Sequence, residues 1–281
     1  MMANTNVSLP RTDAFVELSL LDGGSFVGDL SRMQPGASGS VRIYNWAFYI
    51  LHQGKHILWD LGLDKDRSCY TPWVNKSMLE HVNHVGPRRT IVQQLSERRV
   101  SAVEIDTVFH AHWDHSRPIS DDFLNATAYF GPGTREACRP GHLRDQSLQW
   151  DGRFFDPNLA PRTLDYFGDG SFWILDAPGH MPGNIAGAAR LRQGEWVLLG
   201  SDSIAEFRGS GNETMSLHTD LAAARDTITK IKMLEKEYGV HTALAHDASW
   251  LKKGTDRVLM SLLDDYMKEA ATEKIPYDWI P

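Results

Sequence analysis

Thr107-Val-Phe-His-Ala-His-Trp-Asp-His115 decides the reading of this chain: an apolar, strand-like run ends and four potential cation ligands follow within six positions. Alternate residues of extended backbone point to one side, so His110 and His112 can converge on one cation. A turn beyond them lets Asp114 and His115 face a second. Imidazole combined with carboxylate suits zinc, and also iron or manganese.

Working outward, three more candidate ligands follow other apolar runs. His180 comes after Trp173-Ile-Leu-Asp-Ala-Pro-Gly, Asp202 after Trp196-Val-Leu-Leu-Gly-Ser, and His246 after Thr242-Ala-Leu-Ala. Ligands that follow separate strands gather at one edge of a sheet and share a cleft. Any single histidine more often packs or hydrogen-bonds. That is how His52, His56, His142, His218 and His241 are read, since none of them has a companion ligand in sequence, and His81 and His84, three apart near a helix start, are read the same way.

The order His110-x-His112-x-Asp114-His115, His180, Asp202, His246 resembles the full ligand pattern of the metallo-β-lactamase superfamily over roughly residues 40–250. The resemblance implies an α/β protein of the αβ/βα sandwich type, two mixed β-sheets flanked by helices, with metals at one edge. It implies that His110, His112 and His180 hold one metal, Asp114, His115 and His246 the other, and that Asp202 bridges them. Antibiotic-hydrolysing members usually carry cysteine at the bridging position, so a penicillinase is not expected. Asp60, in Leu58-Trp-Asp-Leu-Gly62, stands where the superfamily has an Asp that orients ligands by hydrogen bonds. The stretch Leu21–Gly36 is similar to the opening loop of the acyl-homoserine lactonase branch. That branch usually carries a tyrosine three positions after the bridging Asp, where this chain has Ala205.

Composition frames the rest. With 281 residues, 42% of them hydrophobic and 23% charged, the chain can bury a substantial core as one soluble domain. We expect an N-terminal loop region over 1–40, a core over about 41–250 and a helix over about 256–271. A net charge of -7 offers no basic footprint for nucleic acid or an anionic membrane. The start lacks a leader-like apolar run, so a cytoplasmic location is expected. Cys69 and Cys138 are too far apart for a thiolate motif.

Apolar, β-branched and aromatic runs predict strands at Phe15–Leu20, Trp46–Leu51, Ile57–Trp59, Thr107–Phe109, Trp173–Leu175, Trp196–Leu199 and Thr242–Ala245. Helical spacing predicts helices at Val85–Arg98, Asp220–Tyr238 and Asp256–Ala271. Gly131–Pro140 and Trp150–Pro161 read as surface loops.

The expected activity is a two-metal hydrolase that opens a small lactone, cyclic amide or carbamate by attack of a hydroxide shared between the metals. Zinc is the first choice of cation, and Asp114 is the expected proton carrier. Fungal lactamases of this superfamily that open benzoxazolinone-type compounds would share every residue above. Tyr70, Trp73, Trp113, Met181 and Phe207 flank the motifs as candidate pocket walls for a small-molecule substrate. A glyoxalase II-like thioesterase is the second reading, although no basic cluster near the C-terminus offers to hold a glutathione carboxylate. A di-iron redox or binding module is the third. A homodimer is compatible with the sequence.

Overall fold

The computed structural model describes residues 9–29, 31, 38–64, 66–70, 72–82, 84–112, 119, 122–137, 152–154, 163–202 and 218–272. Among these, two mixed sheets form. The first has the order β1 (Glu17–Asp29), β2 (Ser40–His52), β3 (Lys55–Trp59), β4 (Ile105–His110), β5 (Thr127–Phe130), β6 (Gly152–Phe154). The second comprises β7 (Thr163–Asp165), β8 (Phe172–Asp176), β9 (Ile185–Arg190), β10 (Trp196–Ser201) and β11 (His241–Leu244), in spatial order β11-β10-β9-β8-β7. Pairing is antiparallel from β1 to β3 and parallel from β3 to β6. In the second sheet it is antiparallel from β7 to β10, and β11 lies parallel to β10.

Strand alternation builds the layers. Trp46, Phe48 and Ile50 of β2, with Ile57, Trp59 and Phe109, face Phe172, Ile174, Val197, Leu199 and Ala243 of the other sheet in one buried cluster. The intervening residues Ala47, Tyr49, Leu58 and Val108 point outward and are covered by α1 (Ile91–Glu97) through Ile91 and Leu95. On the far side, Trp196 and Leu198 are covered by Ile228 and Ile231 of α2 (Leu221–Tyr238). The result is the α/β/β/α layering that the resemblance implies. Trp59 lies at its centre, 1% exposed and packed against Phe109 and Phe172. Its truncation to alanine should cost about 3–5 kcal/mol.

Both covering helices carry their own end signals. Thr90 and Gln93 make a reciprocal capping box at α1. Asp220 accepts from the Ala222 and Ala223 N–H groups at the start of α2, and Gly239 closes it in the left-handed conformation at φ 67.

Several expectations need correction. Leu21–Gly36 is not a loop throughout, and 1–40 is not a loop region, because β1 runs to Asp29 and buries Leu18, Leu20 and Leu21. It passes the Gly23-Gly24 pair by a register shift between Asp22 and Ser25. A Cβ on Gly23 would sit 2.2 Å from the Asn45 carbonyl oxygen, so only glycine allows that approach. The helix expected from Val85 starts at Ile91, since Val85 bridges to Ser25 in strand fashion. The helix expected over Asp256–Ala271 is two, Arg257–Met260 and Asp265–Thr272. Between them Leu262 and Leu263 turn into the core, where the Leu262 carbonyl accepts from Leu20 N–H. Gly131–Pro140 includes the helical turn Thr134–Ala137, whose Thr134 and Ala137 are buried, and Trp150–Pro161 includes β6.

Candidate metal centre

The C-terminal ends of β3, β4, β8, β10 and β11 lie at one edge of the two sheets, where ligands collect in open α/β architectures. Each end delivers a residue singled out above: Asp60 after β3, His110 and His112 at β4, His180 after β8, Asp202 after β10 and His246 after β11. Backbone bonds lock the ends together. Ala111 accepts from Ile185 N–H at 2.9 Å, Ser201 accepts from Ala245 N–H at 3.2 Å, and Ala245 accepts from Trp46 N–H at 2.9 Å. Each of these contacts bridges segments distant in sequence, so the edge forms only when both sheets have assembled.

Asp202 is the hub. Its carboxylate is 4% exposed and lies 3.0 Å from His246 Nε2, 3.4 Å from His180 Nε2 and 3.6 Å from His112 Nε2. Burial penalises its charge, yet His246 and His112, with a further contribution from His180, hold its carboxyl well below the usual carboxylate range. His110 is buried at 1% and stacks on Phe130 with ring centroids 4.7 Å apart. His246 Nδ1 is held by the Tyr44 carbonyl, and Phe26 stands edge-on to its ring at 5.9 Å. Among the described residues no three such side chains form a ready-made cation cage; His112, His180 and His246 converge on the Asp202 carboxylate itself.

Two backbone positions beside the hub are strained. Asp60 has φ 56 and Ser201 φ 49, left-handed values that favour glycine. Each is held there by specific bonds. Asp60 N–H donates to Phe109 O at 2.8 Å, and its Oδ1 accepts from the buried Ala111 N–H at 2.8 Å. Asp60 thus fixes the backbone between the two histidines of the His-x-His motif. Its Oδ2 is 3.8 Å from His112 Nδ1, beyond hydrogen-bond range. Ser201 Oγ occupies that role at 2.8 Å. Asp60 is the residue expected from sequence to orient ligands; Ser201 carries no sequence signal beyond its position next to Asp202.

His218 is the second residue the sequence passes over. Its ring stands at 90° to His180 with centroids 5.6 Å apart. Burial lowers its pKa, as does His180, against the opposing pull of Asp202. Three other histidines behave as read from sequence: His52 bonds Asp169, His56 bonds Tyr49, and His241 bonds Asp256.

Trp113, Asp114, His115, Ala205 and Phe207 lie outside the described residues, as does the side chain of Trp73. Tyr70 is buried, its hydroxyl accepting from Asp64 N–H at 2.6 Å, in a small apolar cluster with Leu63, Leu79 and Phe26. Phe26 links that cluster to His246. Met181 is buried in the turn after His180.

The donor set fits divalent cations. Buried imidazoles around a buried carboxylate supply neutral nitrogen and anionic oxygen, the combination that borderline cations take.

Comparison with known proteins agrees with this architecture. No family model matches the chain. The chain is 26% identical over 226 residues to the metallo-hydrolase mfmC of Annulohypoxylon moriforme, covering 70% of this chain and 59% of that protein. It is 26% identical to the cytochrome P450 monooxygenase mpaDE of Penicillium brevicompactum over 86% of this chain and 35% of that protein. The γ-lactamase FDB1 of Fusarium pseudograminearum is 25% identical over 73% of this chain and 57% of that protein. The chain thus spans between about a third and three-fifths of the length of these curated relatives. A solved quorum-quenching N-acyl homoserine lactone hydrolase superposes with a TM-score of 0.68 at 15% identity, over 86% of this chain and 97% of that one. The chain has the metallo-β-lactamase fold. In sequence it is similar to a metallo-hydrolase and a γ-lactamase, and in fold to N-acyl homoserine lactone hydrolases.

Proposed function

We propose that the chain is a metal-dependent hydrolase that opens a small lactone or a related cyclic amide or carbamate. The observation that carries this reading is the meeting of His112, His180 and His246 on the buried Asp202 carboxylate, each arriving from a different strand end. A nonpolar core would not collect them, because burying a carboxylate is costly unless charge or metal compensates it. The names of mfmC, FDB1 and the lactone hydrolase give the same direction.

In this reading His110, His112 and His180 would hold one divalent cation, Asp114, His115 and His246 a second, with Asp202 between them, and zinc is the preferred metal. Such cations, when bound, supply Lewis acidity and lower the pKa of water toward neutrality. The chain's own residues do the rest. Asp60 fixes the Ala111 backbone, Ser201 fixes the His112 ring, and Phe26 leads from His246 into an apolar cluster suited to the nonreacting part of a substrate. Asp114 would carry the proton from attacking water to leaving group. With Ala205 offering no hydroxyl, substrates with a good leaving group, such as aryl carbamates, should be opened faster than long-chain homoserine lactones.

We take the chain to work as a single domain on a small molecule. No described helix is long and apolar enough to cross a membrane. The test is turnover by the zinc-loaded protein across γ-lactones, benzoxazolinone, homoserine lactones and a glutathione thioester. Opening of lactone or carbamate with little thioester hydrolysis is expected; a marked thioester preference would replace this reading with the glyoxalase II-like one.

A further inference from the structure

His218 stands beside the metal centre without belonging to the ligand set. Thr219 N–H donates to His180 O at 2.8 Å and Asp220 N–H to Gly179 O at 3.0 Å, so the chain entering α2 runs alongside the turn that carries His180. The approach is close: a Cβ on Gly179 would lie 2.2 Å from the Ala224 backbone nitrogen, which only glycine tolerates. This pairing sets the His218 ring edge-on to His180, with ring centroids 5.6 Å apart.

Three observations bear on the role of His218. Among the described residues it makes no ion pair with Asp202, unlike His112, His180 and His246. It is partly exposed, as is His246, whereas His110, His112 and His180 are buried. Among the described residues its buried Nδ1 has no hydrogen-bond partner, while His52, His56 and His241 all have one. A buried polar nitrogen left unsatisfied is costly, and beside the Asp202 cluster a bound group that satisfies it would account for its retention.

We propose that His218 is a substrate-binding residue of this centre, its imidazole donating a hydrogen bond to the carbonyl oxygen of the ring under attack. The proposal rests on the hydrolase reading above. A fixed donor aimed at an oxygen that gains negative charge is a strong lever on such a reaction, commonly about 100-fold or more per donor. His218 is positioned for it by two backbone bonds rather than by a loop tip.

The test compares wild type with His218→Phe and His218→Asn in the zinc-loaded protein. Three readouts are taken: zinc content, kcat/KM for γ-butyrolactone, and NMR-detected binding of cyclopentanone, which presents a like carbonyl with no bond to break. We expect unchanged zinc in both variants. In His218→Phe we expect kcat/KM lowered about 100-fold or more and cyclopentanone bound at least about fivefold more weakly. His218→Asn, which keeps an N–H donor, should recover part of both. Loss of zinc from His218→Phe would make it a ligand or a structural residue and overturn the proposal, as would kcat/KM and probe affinity within twofold of wild type. Wild-type protein that shifts the His218 ring signals on binding cyclopentanone, yet opens no lactone, would support this site while contradicting the hydrolase reading.

Discussion

Ser201 Oγ lies 2.8 Å from His112 Nδ1, and the opposite ring nitrogen of His112 faces Asp202 at 3.6 Å. One hydroxyl therefore sets the orientation of a candidate ligand from the strand that also carries the hub. Loss of such a partner typically weakens metal binding about 10- to 100-fold. Ser201→Ala and Ser201→Gly should both show that loss in competition with a chromophoric chelator. Glycine is the sharper variant, because φ 49 suits it and the relieved strain offsets part of the stability lost with the His112 bond. Wild-type affinity in Ser201→Gly would remove the hydroxyl from the account.

Asp60 acts through backbone. Asp60→Ala strands the buried Ala111 N–H, at a cost of about 1–3 kcal/mol, whereas Asp60→Asn keeps an acceptor and should lose less than about 1 kcal/mol. Urea unfolding of the two metal-free variants measures the difference. Equal losses would mean that the carboxylate charge, not the Ala111 contact, matters at this position.

Away from the site, Asp169 joins the N-terminal segment to β2. It accepts from Ser171 N–H and Oγ, pairs with His52, and its own carbonyl accepts from Thr12 Oγ1. Burial opposes its charge, but the Ser171 bonds and His52 prevail and its carboxyl lies below the usual range. A carboxyl depressed by folding stabilises the protein above its unfolded pKa of about 3.9, and that contribution is lost as pH falls through the lower folded value. Asp169→Asn should therefore melt below wild type at pH 6, with the gap closing under about pH 4. A gap independent of pH would assign the effect to shape rather than charge.

Much of the fold and of the hub is legible in sequence, because both rest on patterns that survive without neighbours. Trp46–Leu51 and Trp196–Leu199 alternate or run apolar strongly enough to read as strands, and the ligand order repeats a known series. What escapes depends on tertiary contact. β9, Ile185-Ala-Gly-Ala-Ala-Arg190, carries few β-formers and is a strand only because β8 and β10 flank it. β1 continues through Gly23-Gly24 because β2 accommodates the shift. Ser201 and His218 have no companions in sequence and acquire them only when β10 and the start of α2 dock against β4 and the His180 turn.

The central claim is that Asp202 is the hub of a cation-binding, hydrolytic centre, and metal content paired with lactone turnover in wild type and Asp202→Asn tests it most directly. The account predicts about two zinc ions per chain and chelator-sensitive ring opening in wild type. In Asp202→Asn it predicts loss of at least one ion and a fall in turnover of roughly a hundredfold or more, because a neutral amide cannot balance the charge that His246, His112 and His180 surround. Wild type without bound metal, or Asp202→Asn with full metal and full turnover, would contradict it.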